Sequence, residues 1–139
     1  MGLFNIFNVA GSGMSAQSVR LNTTASNIAN ADSVSSSVDS TYRARHPIFE
    51  ASMEKANKQQ QSSVGVAVKG IVESDLPLTK TYSPNHPMAD TEGFIYKPNV
   101  NVMEEMADMI SASRSYQMNV QVTDAAKSML QQTLKIGKS

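Results

Sequence analysis

Cysteine is absent from the 139 residues, which excludes disulfides, thiolate nucleophiles and sulfur-held zinc, and suits a chain that crosses an oxidising compartment without misbridging. Histidine is nearly absent: His46 and His86 are the only two, each stands directly before a proline, and no His-x-x-x-His spacing exists, so no metal site is expected. Proline is missing from both ends, because Pro47, Pro77, Pro84, Pro87 and Pro98 all lie in the middle. That layout predicts helix, irregular or β-rich insert, helix. No hydrophobic run reaches transmembrane length, and no basic residue precedes Arg20, so neither a membrane span nor a secretory signal peptide is expected. Myristoylation is not expected after Met1-Gly2, since Ile6 stands where Ser or Thr is needed. Net charge is zero, with 12 basic and 12 acidic residues, which points to neither nucleic acid nor an acidic membrane as partner. No phosphate loop, dinucleotide fingerprint or paired carboxylates occur. Glu104 and Glu105 are adjacent, so they fall on different sides of a helix and read as solvated residues matched to its dipole. No catalytic or cofactor-binding residue is assigned, no cofactor is expected, and the chain is not read as an enzyme.

The strongest pattern present is the last forty residues. At alternating steps of four and three, Val102, Met106, Met109, Ser113, Tyr116, Val120, Thr123, Lys127, Leu130 and Leu134 form a seam in which seven of ten are apolar. Asn99 or Asn101 after Pro98 makes an entry, acidic residues crowd the first turns, lysines crowd the last, and Gly137 is placed for a stop. A helix from about 101 to 135 spans on the order of 50 Å. A second stripe, Met118, Val122, Ala125, Met129 and Ile136, lies roughly 200° around from the first. A helix apolar on two nearly opposite faces needs neighbours on both, more than a chain of this length supplies.

The N-terminus repeats the spacing in Leu3, Phe7, Ala10, Met14, Gln17, Leu21, Thr24 and Ile28. Residues 1–31 carry one charged side chain, Arg20, where a solvated helix carries many. Gly11 and Gly13 each cost about 1 kcal/mol in an isolated helix, so this segment is expected to be helical only when packed, the glycines marking a close approach. Asn22-Thr23-Thr24 fits a glycosylation pattern but falls on the packed helix and is set aside.

Between the ends, Ser35-Ser36-Ser37 and Gln59-Gln60-Gln61 mark loops, with an extended piece expected over 42–49. Alternation at Val64, Val66, Val68, Ile71 and Val72 predicts a strand, with Leu76–Tyr82 and Gly93–Tyr96 as its pairing partners. Such an insert is too small for an ordinary enzyme cleft.

Two stretches carry a resemblance. Ser26-Asn27-Ile28-Ala29-Asn30-Ala31, preceded by Leu21, resembles the N-terminal signature of the flagellar rod and hook family. Lys97-Pro98-Asn99-Val100-Asn101-Val102, then Glu105-Met106-Ala107-Asp108-Met109-Ile110, then Ser113-Arg114-Ser115-Tyr116-Gln117-Met118-Asn119-Val120, resembles its C-terminal signature. The signature residues are thus Ser26, Asn27, Ile28, Ala29, Asn30, Pro98, Asn99, Val100, Glu105, Met106, Arg114 and Tyr116. Together the stretches cover about half the chain. After Asn30 the sequence departs from the Thr-x-Gly-Tyr of many relatives, running from Asp32 to Thr41 without glycine, which is closer to the short proximal rod members. The resemblance implies a structural axial subunit of the flagellar basal body. Its implied partners are copies of itself, other rod proteins and the flagellar export apparatus; its implied place is the periplasmic rod, reached without a cleaved signal, where it transmits torque.

The reading is therefore a mainly α chain. Two long terminal helices pack as an antiparallel coiled-coil-like pair, forming a discontinuous assembly domain from 1–31 and 100–139. The insert, 32–99, divides into a Ser/Gln-rich loop (32–63) and a small β element (64–99). Leu3, Phe7, Met14, Leu21, Ile28, Val102, Met106, Met109, Tyr116, Val120, Leu130 and Leu134 are expected to pack within the subunit. Met118, Val122, Ala125, Met129 and Ile136 are expected at a subunit interface. The competing readings are another axial protein of the rod and hook family, or a soluble coiled-coil adaptor or secreted effector.

Overall fold

Free of proline at both ends, the chain forms two long helices, α1 (Leu3–Asn30) and α2 (Val102–Ile136). The computed structural model describes residues 3–52 and 64–137, and the side chain of Leu3 and the residues Gln59-Gln60-Gln61 lie outside what is described. Helix α2 opens at Asn101, whose side chain accepts from the Met103 amide, and Glu104 and Glu105 stand in its first turn. Both satisfy or complement the free amides of the first turn. It closes at Gly137, which stays right-handed at φ −74 instead of taking a left-handed cap.

The helices run antiparallel. Asn27 meets Glu105, Arg20 meets Asp108, and Gly13 lies against Asn119. Residue numbers thus fall along α1 as they rise along α2. The helix residues buried in the fold are small or polar: Ala10, Ala16, Thr23, Thr24 and Asn27 on α1, and Glu105, Ala112 and Ala126 on α2. On α2 these positions, with Asn119 between, repeat every seven residues. A Cβ on Gly13 would stand 2.9 Å from Asn119 Nδ2, so the close approach expected of the glycines holds there, whereas Gly11 has open space in front of it.

The packed face of α2 is turned from the expected seam. Met109, Val120 and Leu130 are half-buried as that seam requires, but Val102, Met106, Tyr116 and Leu134 are exposed. The reason is the shortness of the contacting side chains: backbones this close bury Glu105, Ala112 and Ala126 between them and leave the bulkier neighbours at the rim. Leu134 has a further reason. With Gly13 opposite Asn119, the start of α1 reaches roughly the level of Met129, and α2 continues past it. From α1, Phe7, Met14, Leu21 and Ile28 are half-buried at the sides of the contact.

The chain is mainly α only in part, since about half of the described residues are helical and about a fifth lie in strands. Strand β1 (Arg45–Ser52) overlaps the extended piece expected at 42–49 and pairs antiparallel with β2 (Gly65–Glu73), with a bulge at Ile48/Phe49. Strands β3 (Thr79–Tyr82) and β4 (Phe94–Lys97) pair with each other, not with β2 as the sequence suggested. The alternation in Val64–Val72 shows that a strand exists there but does not identify its partner, which is β1. The β1–β2 hairpin lies along α1, held at one end where Asn27 meets Arg45 and at the other where Ser12 Oγ accepts from the Val66 amide at 3.0 Å. About 22 Å of helix and about 20 Å of strand separate these anchors, so the two lengths match. In the β3–β4 hairpin Gly93 takes φ +84, where a Cβ would crowd Tyr82 and Pro84. Tyr82 and Phe94 meet edge to face at 5.1 Å.

Candidate functional site

Among the described residues Asn27 is the one large side chain at 0% exposure, and its amide ties α1 to the Tyr42 segment, β1 and α2. Its Nδ2 donates to the Arg45 carbonyl at 2.8 Å and to Glu105 Oε1 at 2.9 Å. Its Oδ1 accepts from the Tyr42 hydroxyl and the Arg45 amide, both at 2.9 Å. Two donors and two acceptor sites are the full capacity of a carboxamide, and all are used. One α1 side chain therefore fixes the base of the β1–β2 hairpin, the Tyr42 segment and the first turn of α2.

Asn99 does the same work for the second hairpin's connection. Its Oδ1 accepts from the Ala44 amide at 2.8 Å, and its Nδ2 donates to the Leu76 carbonyl at 2.9 Å and the Ser74 carbonyl at 3.3 Å. Ala44 and Pro98 are buried beside it, and Ser35 bridges to Tyr96 through a pair of backbone hydrogen bonds. The serine run is thereby tied to β4, with Ser35 and Ser40 hydroxyls bonded to each other.

Glu105 is not a solvated residue as its sequence position suggested; it is 5% exposed, while Glu104 is open. Burial pushes its carboxyl up, opposed by the Asn27 hydrogen bond and by His46, with Asp108 and Glu104 adding to the rise. Burial likewise pushes the Tyr42 phenol up against the opposing charge of Arg45, whose guanidinium lies 5.5 Å from the ring centre. Arg45 itself bonds Glu73. Arg20, the lone charge of residues 1–31, bonds Asp108 at 2.6 Å and so pins the helix register.

Of the sequence-assigned signature residues, the structure joins Asn27 to Glu105, buries Pro98 and half-buries Asn99. Val100 is half-buried, Ser26, Ala29, Met106, Arg114 and Tyr116 are exposed, and the Asn30 side chain caps its own helix on the Ser26 carbonyl. The residues assigned to a subunit interface all face outward: Met118 is 59% exposed, Val122 47%, Met129 58%, Ile136 76%, and Ala125 is open as well. A face that the sequence reading did not isolate lies on α1, where Phe4, Asn8, Ser15, Ser18, Asn22, Ala25 and Ala29 are exposed at steps that repeat with period seven once open Gly11 is included. It carries no charge. The signal was the lack of charge in residues 1–31; its facing was hidden because polar Asn and Ser do not mark a seam.

Among the described residues no group of three or more His, Cys, Asp or Glu is placed to hold a metal ion, and no helix is long and apolar enough to cross a membrane. The arrangement is that of a structural subunit: a helix pair with an attached hairpin arm, cross-braced by buried amides, and with exposed uncharged helix faces.

Comparison with known proteins agrees. Residues 91–136 match the family described as flagellar basal body rod FlgEFG protein C-terminal, and residues 7–35 match the family described as flagella basal body rod protein. The chain is 44% identical to the flagellar basal-body rod protein FlgC of Salmonella typhimurium over 99% of its own length and 100% of that protein's. The same protein of Escherichia coli O157:H7 is 44% identical with the same coverage, and that of Bacillus subtilis is 35% identical over 150 residues. The chain belongs to the flagellar basal-body rod protein family and is a structural subunit of the basal-body rod. That full-length relationship decides against the adaptor reading.

Proposed function

We propose that the chain builds the proximal rod by packing its two helices, residues 1–31 and 100–139, against copies of itself and other rod proteins, while 32–99 stands as an insert on that assembly unit. The carrying observation is the outer face of α2, where Met118, Val122, Ala125, Met129 and Ile136 are exposed in the single subunit. Large apolar side chains gain roughly 1.5–3 kcal/mol each on full burial, so half-exposed ones leave a substantial part of that to assembly. The uncharged outer face of α1 supports the same reading, because a helix left in water normally carries charge there. The helix pair then acts as a coiled-coil-like strut, and close lateral contacts between such struts transmit torque along the rod without catalysis. In this reading the subunit passes through the flagellar export apparatus without a cleaved signal and works in the periplasm, bound to neither nucleic acid nor lipid.

The test is Val122→Asp introduced into the native gene. Export into the periplasm should be unchanged, and complete basal bodies and swimming should be lost, since a carboxylate forced against apolar neighbours costs several-fold more than one contact returns. Normal swimming with complete basal bodies would overturn the assignment of this face.

A further inference from the structure

A buried carboxylate without a cation partner is the feature that rod assembly does not explain. Glu105 is 5% exposed at the point where α1, α2 and the β1–β2 hairpin meet. Among the described residues the nearby arginines are directed elsewhere, Arg20 to Asp108 and Arg45 to Glu73 and the Tyr42 ring, which leaves only His46 to act on Glu105. Its side chain receives one donor, Asn27 Nδ2 on Oε1, while Oε2 receives none from the protein and has only the slight solvent contact of a residue 5% exposed. An ionised carboxylate has room for about four donors and is expensive to bury with fewer, whereas a neutral carboxyl keeps the Asn27 bond through its carbonyl oxygen.

We propose that Glu105 is a protonation latch, closing the junction between the helix pair and the β1–β2 hairpin when neutral and loosening it when ionised. The hairpin is the element released. Asn27 holds both the amide and the carbonyl of Arg45, the first residue of β1, so any displacement of Asn27 from an ionised Glu105 frees the arm at its base. The groups that face the latch are few. From α2 come Glu104 and Asp108, which add negative charge and favour the neutral form. From β1 come His46, whose positive charge opposes it, and Arg45, which is held by Glu73 of β2. From α1 comes Arg20, held by Asp108, and from the segment before β1 the Tyr42 hydroxyl, which binds Asn27. Because burial raises the folded-state midpoint, the stabilisation is full below the ordinary carboxylate range and is lost as pH rises through the raised midpoint.

The experiment compares the full chain with Glu105→Gln, which keeps an oxygen for Asn27 and cannot ionise. Urea unfolding of both is measured from about pH 4 to pH 8. The ratio of unfolding constants, wild type over variant, should climb with pH by about tenfold for each unit between the unfolded and folded midpoints. Over the same range, the Arg45 amide should lose exchange protection in wild type relative to the variant. A ratio that stays flat overturns the latch. So does a carbon-13 titration of the Glu105 carboxyl in the wild-type chain with its midpoint at or below the ordinary carboxylate value, a measurement that stands even where the variant does not fold.

Discussion

Asn27 Nδ2 lies 2.9 Å from Glu105 Oε1, across 78 positions of sequence, and this bond joins the two halves of the family signature inside one subunit. Asn27→Ala removes all four hydrogen bonds of the amide at once. A buried group left unpaired costs about 1–3 kcal/mol, and the loss would fall on the Glu105 carboxyl, the Tyr42 hydroxyl and the Arg45 backbone together. The urea midpoint of the subunit should fall by an amount equal to on the order of 3 kcal/mol. A change below about 0.5 kcal/mol would show that the junction repacks or admits water.

The two glycines of α1 should respond oppositely. Gly11→Ala puts a methyl into open space and should stabilise the free subunit by about 1 kcal/mol through helix propensity alone. Gly13→Val drives a branched side chain into Asn119, already 2.9 Å from where a Cβ would sit. It should destabilise the helix pair, seen as a lower thermal midpoint and weaker exchange protection in both helices. Equal effects at the two sites would contradict the close approach at Gly13.

This is also where the sequence was legible and where it was not. Proline placement, an entry at Asn99 or Asn101 and the Gly137 stop are local chemistry; they marked α2 closely, with Asn101 the cap that is used, while the end of α1 at Asn30 had no such marker. The seam of α2 was read from its bulky apolar positions, yet the contact uses Glu105, Ala112, Asn119 and Ala126, because Gly13 lets the backbones come too close for Met or Val between them. The bulky residues were left for the outside. Asn27 entered the sequence reading only as a signature position, and Glu105 as a signature position and a solvated residue matched to the helix dipole. A carboxamide and a carboxylate that satisfy each other across the fold look, in sequence, like two solvated polar residues. Strand pairing failed for a related reason: β1 begins with Arg45, His46 and Pro47, which carry little alternation, so the extended piece at 42–49 did not announce itself as the partner of β2.

Acid should fray the β3–β4 hairpin. The backbone amide of Phe94, foremost, and that of Glu92 hold the Asp90 carboxyl below its usual range, with bonds of 2.8 and 2.9 Å. A lowered folded-state midpoint means the contribution is present above the ordinary aspartate value and is lost as pH falls through the lowered one. The amide shifts of Glu92 and Phe94 should therefore move together in that range, and Asp90→Ala should abolish the movement. Shifts that persist in the variant would assign the transition to another group.

The absence of cysteine from the chain makes the most direct test available. Val122→Cys puts one thiol on the outer face of α2, on a residue 47% exposed in the free subunit. The purified subunit should react quickly with a maleimide, and purified basal bodies carrying the same subunit should react only after denaturation, a loss of labelling of at least about tenfold when burial is complete. Equal labelling of free subunits and intact basal bodies would show that this face meets water in the rod, and would contradict assembly through the outer stripe of α2.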